Sequence, residues 1–164
     1  MHRVLPSPSR SRRITLGLIV AVAVLAADQA SKAWARSSLP RGKFVPVLDH
    51  WFGFGLISNS GAAFSSLSGR NGLLAVLSTA LLALVAVLLL WGALPGRSGA
   101  VALGAILGGG VGNLVDRLRV QSVDDFVVLR PWPSDFNLAD ASIRLGALLL
   151  IASVVLTEVR RRRA

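Results

Sequence analysis

Two acidic segments lie beside apolar runs in the C-terminal half: Val123-Asp124-Asp125-Phe126 and Phe136-Asn137-Leu138-Ala139-Asp140. Carboxylates are rarely placed against hydrocarbon spans without a use. Two that can share a proton are the minimum equipment for activating water without a metal. They meet only if the chain between them turns back, and Pro131 and Pro133 favour a loop there. The chain has no cysteine, which excludes a thiol nucleophile and a disulfide framework. Its two histidines, His2 and His50, cannot build a zinc cluster alone. No metal and no cofactor are expected.

The elements that must position these carboxylates are apolar. Of 164 residues, 53% are hydrophobic, and the mean hydropathy of +0.63 is that of an integral membrane protein. The net charge is +10, but much of it sits in tails: Arg3, Arg10, Arg12 and Arg13 before the first apolar run, Arg160 to Arg163 after the last. That pattern sets topology, with both tails cytoplasmic, and argues against nucleic-acid binding. Four spans are read, at about 14–34, 72–91, 99–117 and 140–157, each near the length that crosses a core of about 30 Å. The first is rather long for a cleaved signal peptide and is followed by no clear small-x-small site, so it reads as a retained anchor.

Four spans leave two outer segments, about 35–71 and 118–139. Seven of the eight acidic residues fall in or near that outer half, and Glu158 alone falls at the inner end. Phe44-Val45-Pro46-Val47-Leu48 and Trp51-Phe52-Gly53-Phe54-Gly55-Leu56-Ile57 have the composition of short strands, which predicts a small sheet on the membrane surface. Trp51, Phe52 and Phe54 would equally suit an aromatic belt with no substrate role.

Asp28 and Lys32 are four apart and share a helix face, roughly 5–10 Å inside the end of span one. They form either a structural ion pair or one that orders a polar site. Asp116 and Arg117 point different ways from the end of span three, so Arg117 could face the carboxylates while Asp116 holds a neighbouring segment. Gly108, Gly109, Gly110 and Gly112 admit a close neighbouring backbone, and no Gly-Lys-Ser/Thr follows to make a phosphate loop. Asn137 can cap span four with Asp140 three residues on. The helix dipole then favours the ionised form of Asp140 and leaves Asp125 to hold a shared proton.

Five blocks together resemble lipoprotein signal peptidase, the type II signal peptidase of bacteria: Asp28-Gln-Ala-Ser-Lys32, Asn59-Ser-Gly-Ala-Ala-Phe64, Gly109-Gly-Val-Gly-Asn-Leu-Val-Asp-Arg117, Val123-Asp-Asp-Phe126 and Phe136-Asn-Leu-Ala-Asp140. The resemblance implies an all-α membrane protein: a four-transmembrane-helix bundle with an outer β-cradle over Phe44 to Phe64 and a short periplasmic helix between spans three and four. It implies a single integral membrane aspartyl peptidase domain in the bacterial inner membrane, both termini cytoplasmic and the site facing outward. Its substrates would be diacylglyceryl-modified prolipoproteins, cut before the lipidated cysteine, and its other partner membrane phospholipid; a monomer is expected. The catalytic pair would be Asp125 and Asp140, with Asp28, Lys32, Asn59, Gly61, Asn113, Arg117 and Asn137 as the supporting surround.

Asp124 departs from the family, which usually has an apolar residue before the catalytic aspartate. Asp125 keeps the expected offset from Arg117 and precedes Phe126, and Asp124 stands as its rival. Two other classes differ in what they require. A proton-coupled transporter wants a carboxylate near mid-bilayer, which spans two to four lack. A membrane scaffold would tolerate Asp125→Asn and Asp140→Asn.

Overall fold

The computed structural model describes residues 9–60, 71–94, 96–130 and 135–163. The four apolar runs form helices α1 (Arg10–Ser38), α2 (Asn71–Trp91), α3 (Gly96–Val120) and α4 (Leu138–Arg163), each long and apolar enough to cross a membrane. Helical structure continues into the polar flanks, because arginine and serine cost little helix propensity. Since α1 runs to Ser38, Lys32 lies about 9 Å and Asp28 about 15 Å from its end at 1.5 Å per residue. Asp28 therefore sits deeper along the helix than the roughly 5–10 Å the sequence predicts, while Lys32 falls within that range. Gly92 (φ 62°) closes α2 in a Schellman turn: its N–H donates to the Leu89 carbonyl and that of Ala93 to Leu88. Gln121, with φ 61°, ends α3.

Helix α3 is the hub of the bundle. Gly104, Gly108 and Gly112 recur every fourth residue and so share one face. A methyl group would strike the Gly17 carbonyl at Gly104, the Ala21 carbonyl at Gly108 and the Asp28 carboxylate at Gly112. One position round the helix, a Cβ at Gly109 would lie 2.6 Å from the Ala139 carbonyl of α4. The missing side chains therefore let α1 and α4 approach α3 backbone to backbone. Val85 and Leu89 of α2 pack against Ala100 and Leu103. The large aliphatic residues Leu77, Leu81, Leu84, Leu145, Leu148 and Ile151 face outward, where hydrocarbon costs them nothing. The polar residues Asp28, Lys32, Asn113, Asp116 and Asn137 are buried inside.

Three strands cap one end of the bundle: β1 (Val45–Leu48), β2 (Phe52–Asn59) and β3 (Val123–Leu129), antiparallel in the order β1-β2-β3. Ala35, Leu56 and Phe126 form a small core beneath the sheet, and Trp34 of α1 meets Phe54 and Phe126 edge to face at 5.6 and 6.3 Å. The first two strands match the expected β-rich runs. The third does not: where a short periplasmic helix is expected between spans three and four, the described residues form β3, because Val123, Phe126, Val127, Val128 and Leu129 fit a pleated, half-buried surface. The expected loop at Pro131 and Pro133 lies outside the described residues, as do His2 and Arg3.

Candidate active site

Strand periodicity decides which way the two neighbouring aspartates point. Successive side chains of β3 face opposite sides, and a register shift in β2 between Phe54 and Ile57 sets Ile57 opposite Asp125 and Asn59 opposite Val123. Asn59 is thus diagonal to Asp125 on one face, and its Nδ2 donates to Asp125 Oδ2 at 3.0 Å. Asp124 turns the other way, where Arg36 Nε donates to its Oδ2 at 2.5 Å.

Asn137 joins the two segments. It caps α4: its Oδ1 accepts the backbone N–H of Asp140 at 2.9 Å. Its Nδ2 donates to Asp125 Oδ1 at 2.7 Å. One buried amide therefore touches both sequence-predicted aspartates, Asp125 through its carboxylate and Asp140 through its backbone N–H. Asp140 Oδ1 accepts from Asn113 Nδ2 at 2.8 Å, in the first turn of α4, where the helix end is positive. Asn113 Oδ1 in turn accepts from Lys32 Nζ at 2.9 Å and from Asn137 Nδ2 at 3.3 Å.

Asp125 is only 1% exposed. Burial pushes its carboxyl from 3.8 up to about 7; the negative field of Asp140 adds to this, while the Asn59 and Asn137 amides and the Lys32 ammonium oppose it. A carboxyl so placed carries a proton for a large part of the time near neutral pH, as a general acid must. The Arg117 guanidinium acts electrostatically on both Asp140 and Asp125, and its Nη1 donates to the Asn113 carbonyl at 3.4 Å.

Behind this pair lies a buried ionic network. Lys32 Nζ is 2.9 Å from Asp28 Oδ2 and 2.8 Å from Asp116 Oδ2, the latter an ion pair without the alignment of a hydrogen bond. Asp28 Oδ1 accepts the backbone N–H of Ala139 at 2.9 Å, which fixes the start of α4 against α1. Charges taken this far from water need such compensation. Asp28 and Lys32 therefore both pair with each other and order the polar site.

The structure thus gathers Asp28, Lys32, Asn59, Asn113, Arg117, Asp125, Asn137 and Asp140 around one end of the bundle, while Gly61 lies outside the described residues. Asp116, expected to hold a neighbouring segment, pairs with Lys32 of α1. Sequence reasoning missed two members of the network, Gln29 and Arg36. Gln29 Nε2 donates to Asp28 Oδ2 at 3.2 Å. Arg36 reaches Asp116 Oδ1 at 3.1 Å as well as Asp124. The signal for Arg36 was present: it follows Asp28 and Lys32 at the same four-residue step, on the same face of α1. Among the described residues no group of three or more His, Cys, Asp or Glu is arranged to hold a metal ion.

A family model described as signal peptidase (SPase) II matches residues 20–156. The lipoprotein signal peptidase of Mycobacterium avium is 40% identical over 153 residues, covering 89% of this chain and 82% of that one. The lipoprotein signal peptidase of Xanthomonas campestris is 35% identical over 167 residues, 97% of each chain. A solved bacterial membrane enzyme, determined by the in meso method at 2.3 Å resolution, superposes with a TM-score of 0.78 at 25% identity, covering 85% of this chain and 87% of that one.

Proposed function

The chain belongs to the signal peptidase II family, and we propose that it is an aspartyl endopeptidase that removes signal peptides from diacylglyceryl-modified prolipoproteins, cutting before the lipidated cysteine. The observation that carries the catalytic assignment is the Asn137 amide, which engages the Asp125 carboxylate and the Asp140 backbone together. Asp140 is the base and Asp125 the acid. Asp140 takes a proton from water as its oxygen attacks the scissile carbonyl carbon, and protonated Asp125 donates to the carbonyl oxygen. The resulting diol collapses when Asp140 passes its proton to the departing nitrogen and Asp125 recovers one from a hydroxyl. Both carboxyls return to their starting states. Asn59, Asn113 and Asn137 hold the two groups in place, and Arg117 stabilises the negative charge that moves between them.

A dyad at the sheet end of the bundle suits a substrate whose lipid stays in the bilayer while its peptide bond reaches water. In this reading the sheet faces outward from the bacterial cytoplasmic membrane, both termini are cytoplasmic, phospholipid surrounds a monomer, and the whole chain acts as one peptidase unit. Asp124 stays outside the chemistry, since its carboxylate is engaged by Arg36.

A gel-shift cleavage assay with a diacylglyceryl-modified prolipoprotein tests this. Asp125→Asn and Asp140→Asn should each lose nearly all turnover. Asp124→Asn should keep cleavage at the same bond. Activity lost with Asp124→Asn but kept with Asp125→Asn would move the site by one residue. A folded wild type that cuts no lipidated substrate would remove the assignment.

A further inference from the structure

Arg36 and Asp124 stand outside the catalytic pair, yet two arms lead from them to it. Arg36 lies in the last turn of α1. Its guanidinium forks: Nε takes Asp124 of β3 at 2.5 Å and Nη2 takes Asp116 of α3 at 3.1 Å. A planar fork spanning two carboxylates is a task for arginine, which lysine cannot reproduce. The first arm is short. Asp124 is next to Asp125, and its backbone carbonyl accepts from Asn137 Nδ2 at 3.4 Å. The second arm runs from Asp116 to Lys32, from Lys32 to Asn113 and from Asn113 to Asp140, at 2.8, 2.9 and 2.8 Å.

We infer that Arg36 and Asp124 form a positioning clamp, which ties α1, α3 and β3 together so that Asp125 and Asp140 are presented to each other. The clamp is also a balance of charge. Asp28, Asp116 and Asp124 against Lys32 and Arg36 leave one net negative charge in the network. Loss of Arg36 alone makes it two, loss of Asp124 alone makes it zero, and loss of both restores one. Several groups face Asp125 besides its strand neighbour Asp124: Asn59 from β2, Asn137 and Asp140 from the start of α4, Lys32 from α1 and Arg117 from α3. None of these groups is substituted in the three variants.

The test is the cycle of Arg36→Leu, Asp124→Leu and the double variant, with kcat and KM for a diacylglyceryl-modified prolipoprotein measured against pH, and the folded fraction taken from thermal unfolding. Arg36→Leu should lower kcat about tenfold with KM little changed, since a small misplacement of reacting groups is costly. Its alkaline limb should move up by several tenths of a pH unit, because added negative charge disfavours ionising Asp125. Asp124→Leu should move the limb down. The double variant should return the limb to its wild-type position and recover kcat well above the product of the single effects. Single variants with full kcat, limbs that move the same way or not at all, or purely multiplicative losses in the double would each overturn the clamp. Should Arg36→Leu not fold, Arg36→Lys replaces it; that variant should lower kcat without moving the limb, and full kcat there would also overturn the proposal. The inference rests on the Asp125–Asp140 reading, and Asp125→Asn keeps the two apart. Turnover surviving in that variant removes the dyad, whereas its loss beside wild-type kinetics in the clamp variants removes the clamp alone.

Discussion

Asn137 performs two tasks that substitution can separate. Its Oδ1 caps α4 through the Asp140 N–H, and its Nδ2 donates to Asp125. Serine keeps the first, since its hydroxyl is as good an N-cap, but is too short to reach Asp125. Alanine loses both. Loss of the cap costs about 1 kcal/mol, so Asn137→Ala should melt a few degrees below Asn137→Ser. The second task has a larger consequence. A hydrogen bond to a charged group is worth about 1.5–3 kcal/mol, and this one favours the ionised form of a carboxyl already pushed up to about 7. At about 1.4 kcal/mol per pH unit, removing it raises Asp125 by about one unit or somewhat more.

In the proposed mechanism Asp125 works as the protonated partner, so turnover falls as pH rises through its pKa. A higher pKa therefore moves the alkaline limb of kcat upward, from near 7 towards about 8. Both variants should show this limb and a lower maximal kcat, because the amide also helps to set the geometry. Thermal unfolding in detergent and a pH series of the cleavage assay read the two effects separately. An Asn137→Ser limb that stays at the wild-type position, or moves down, would refute the placing of the proton on Asp125.

Two further outcomes follow from burial and packing. Asp125 rises from 3.8 to about 7 on folding, so the stability linked to its proton is full below about pH 4 and is lost as pH climbs through 7, by an amount on the order of 4 kcal/mol at most. Asp125→Asn removes that loss. Its melting temperature should gain on wild type between pH 5 and pH 8, and a constant gap would contradict the buried acid. In α3, Gly108→Ala would drive a methyl into the Ala21 carbonyl, whereas a Cβ at Gly72 of α2 meets nothing within 4 Å. The first should cost about 1–3 kcal/mol, and the second should be neutral or slightly stabilising; equal melting temperatures would refute the close approach of α1 and α3.

Much of this arrangement is legible in the chain. Hydropathy locates all four helices because the apolar stretch of each must match one solvent. The Asp28–Lys32 pairing follows from a four-residue step, and the Asn137 cap from its place before an apolar run. What depends on pairing between distant segments is not legible. Strand β3 lies 64 residues from β2 at the Asn59–Val123 pair, and seven residues of mixed composition do not announce a partner. Arg36 shares its face with Asp28 and Lys32, but nothing local says that its two carboxylates lie on α3 and β3.

The choice between Asp124 and Asp125 shows where local reading stops. Adjacent aspartates are chemically alike, and a one-residue slip of the strand exchanges their faces. What separates them is the irregularity in β2 between Phe54 and Ile57. It resets the pairing by one residue, so that Ile57 rather than Phe54's own alternation decides what Asp125 meets. On one side of the strand Asn59 and Asn137, neutral donors that tolerate either charge state, hydrogen-bond Asp125, while Lys32 and Arg117 act on it electrostatically. On the other stands Arg36, a permanent cation. The proposed acid takes its hydrogen bonds from neutral donors, whereas a cation bonded directly to it, as Arg36 is to Asp124, would hold it ionised. The same contrast explains how a second carboxylate beside the proposed dyad can be accommodated: Asp124 is paired with Arg36 on the far face of the strand, where it can anchor its neighbour.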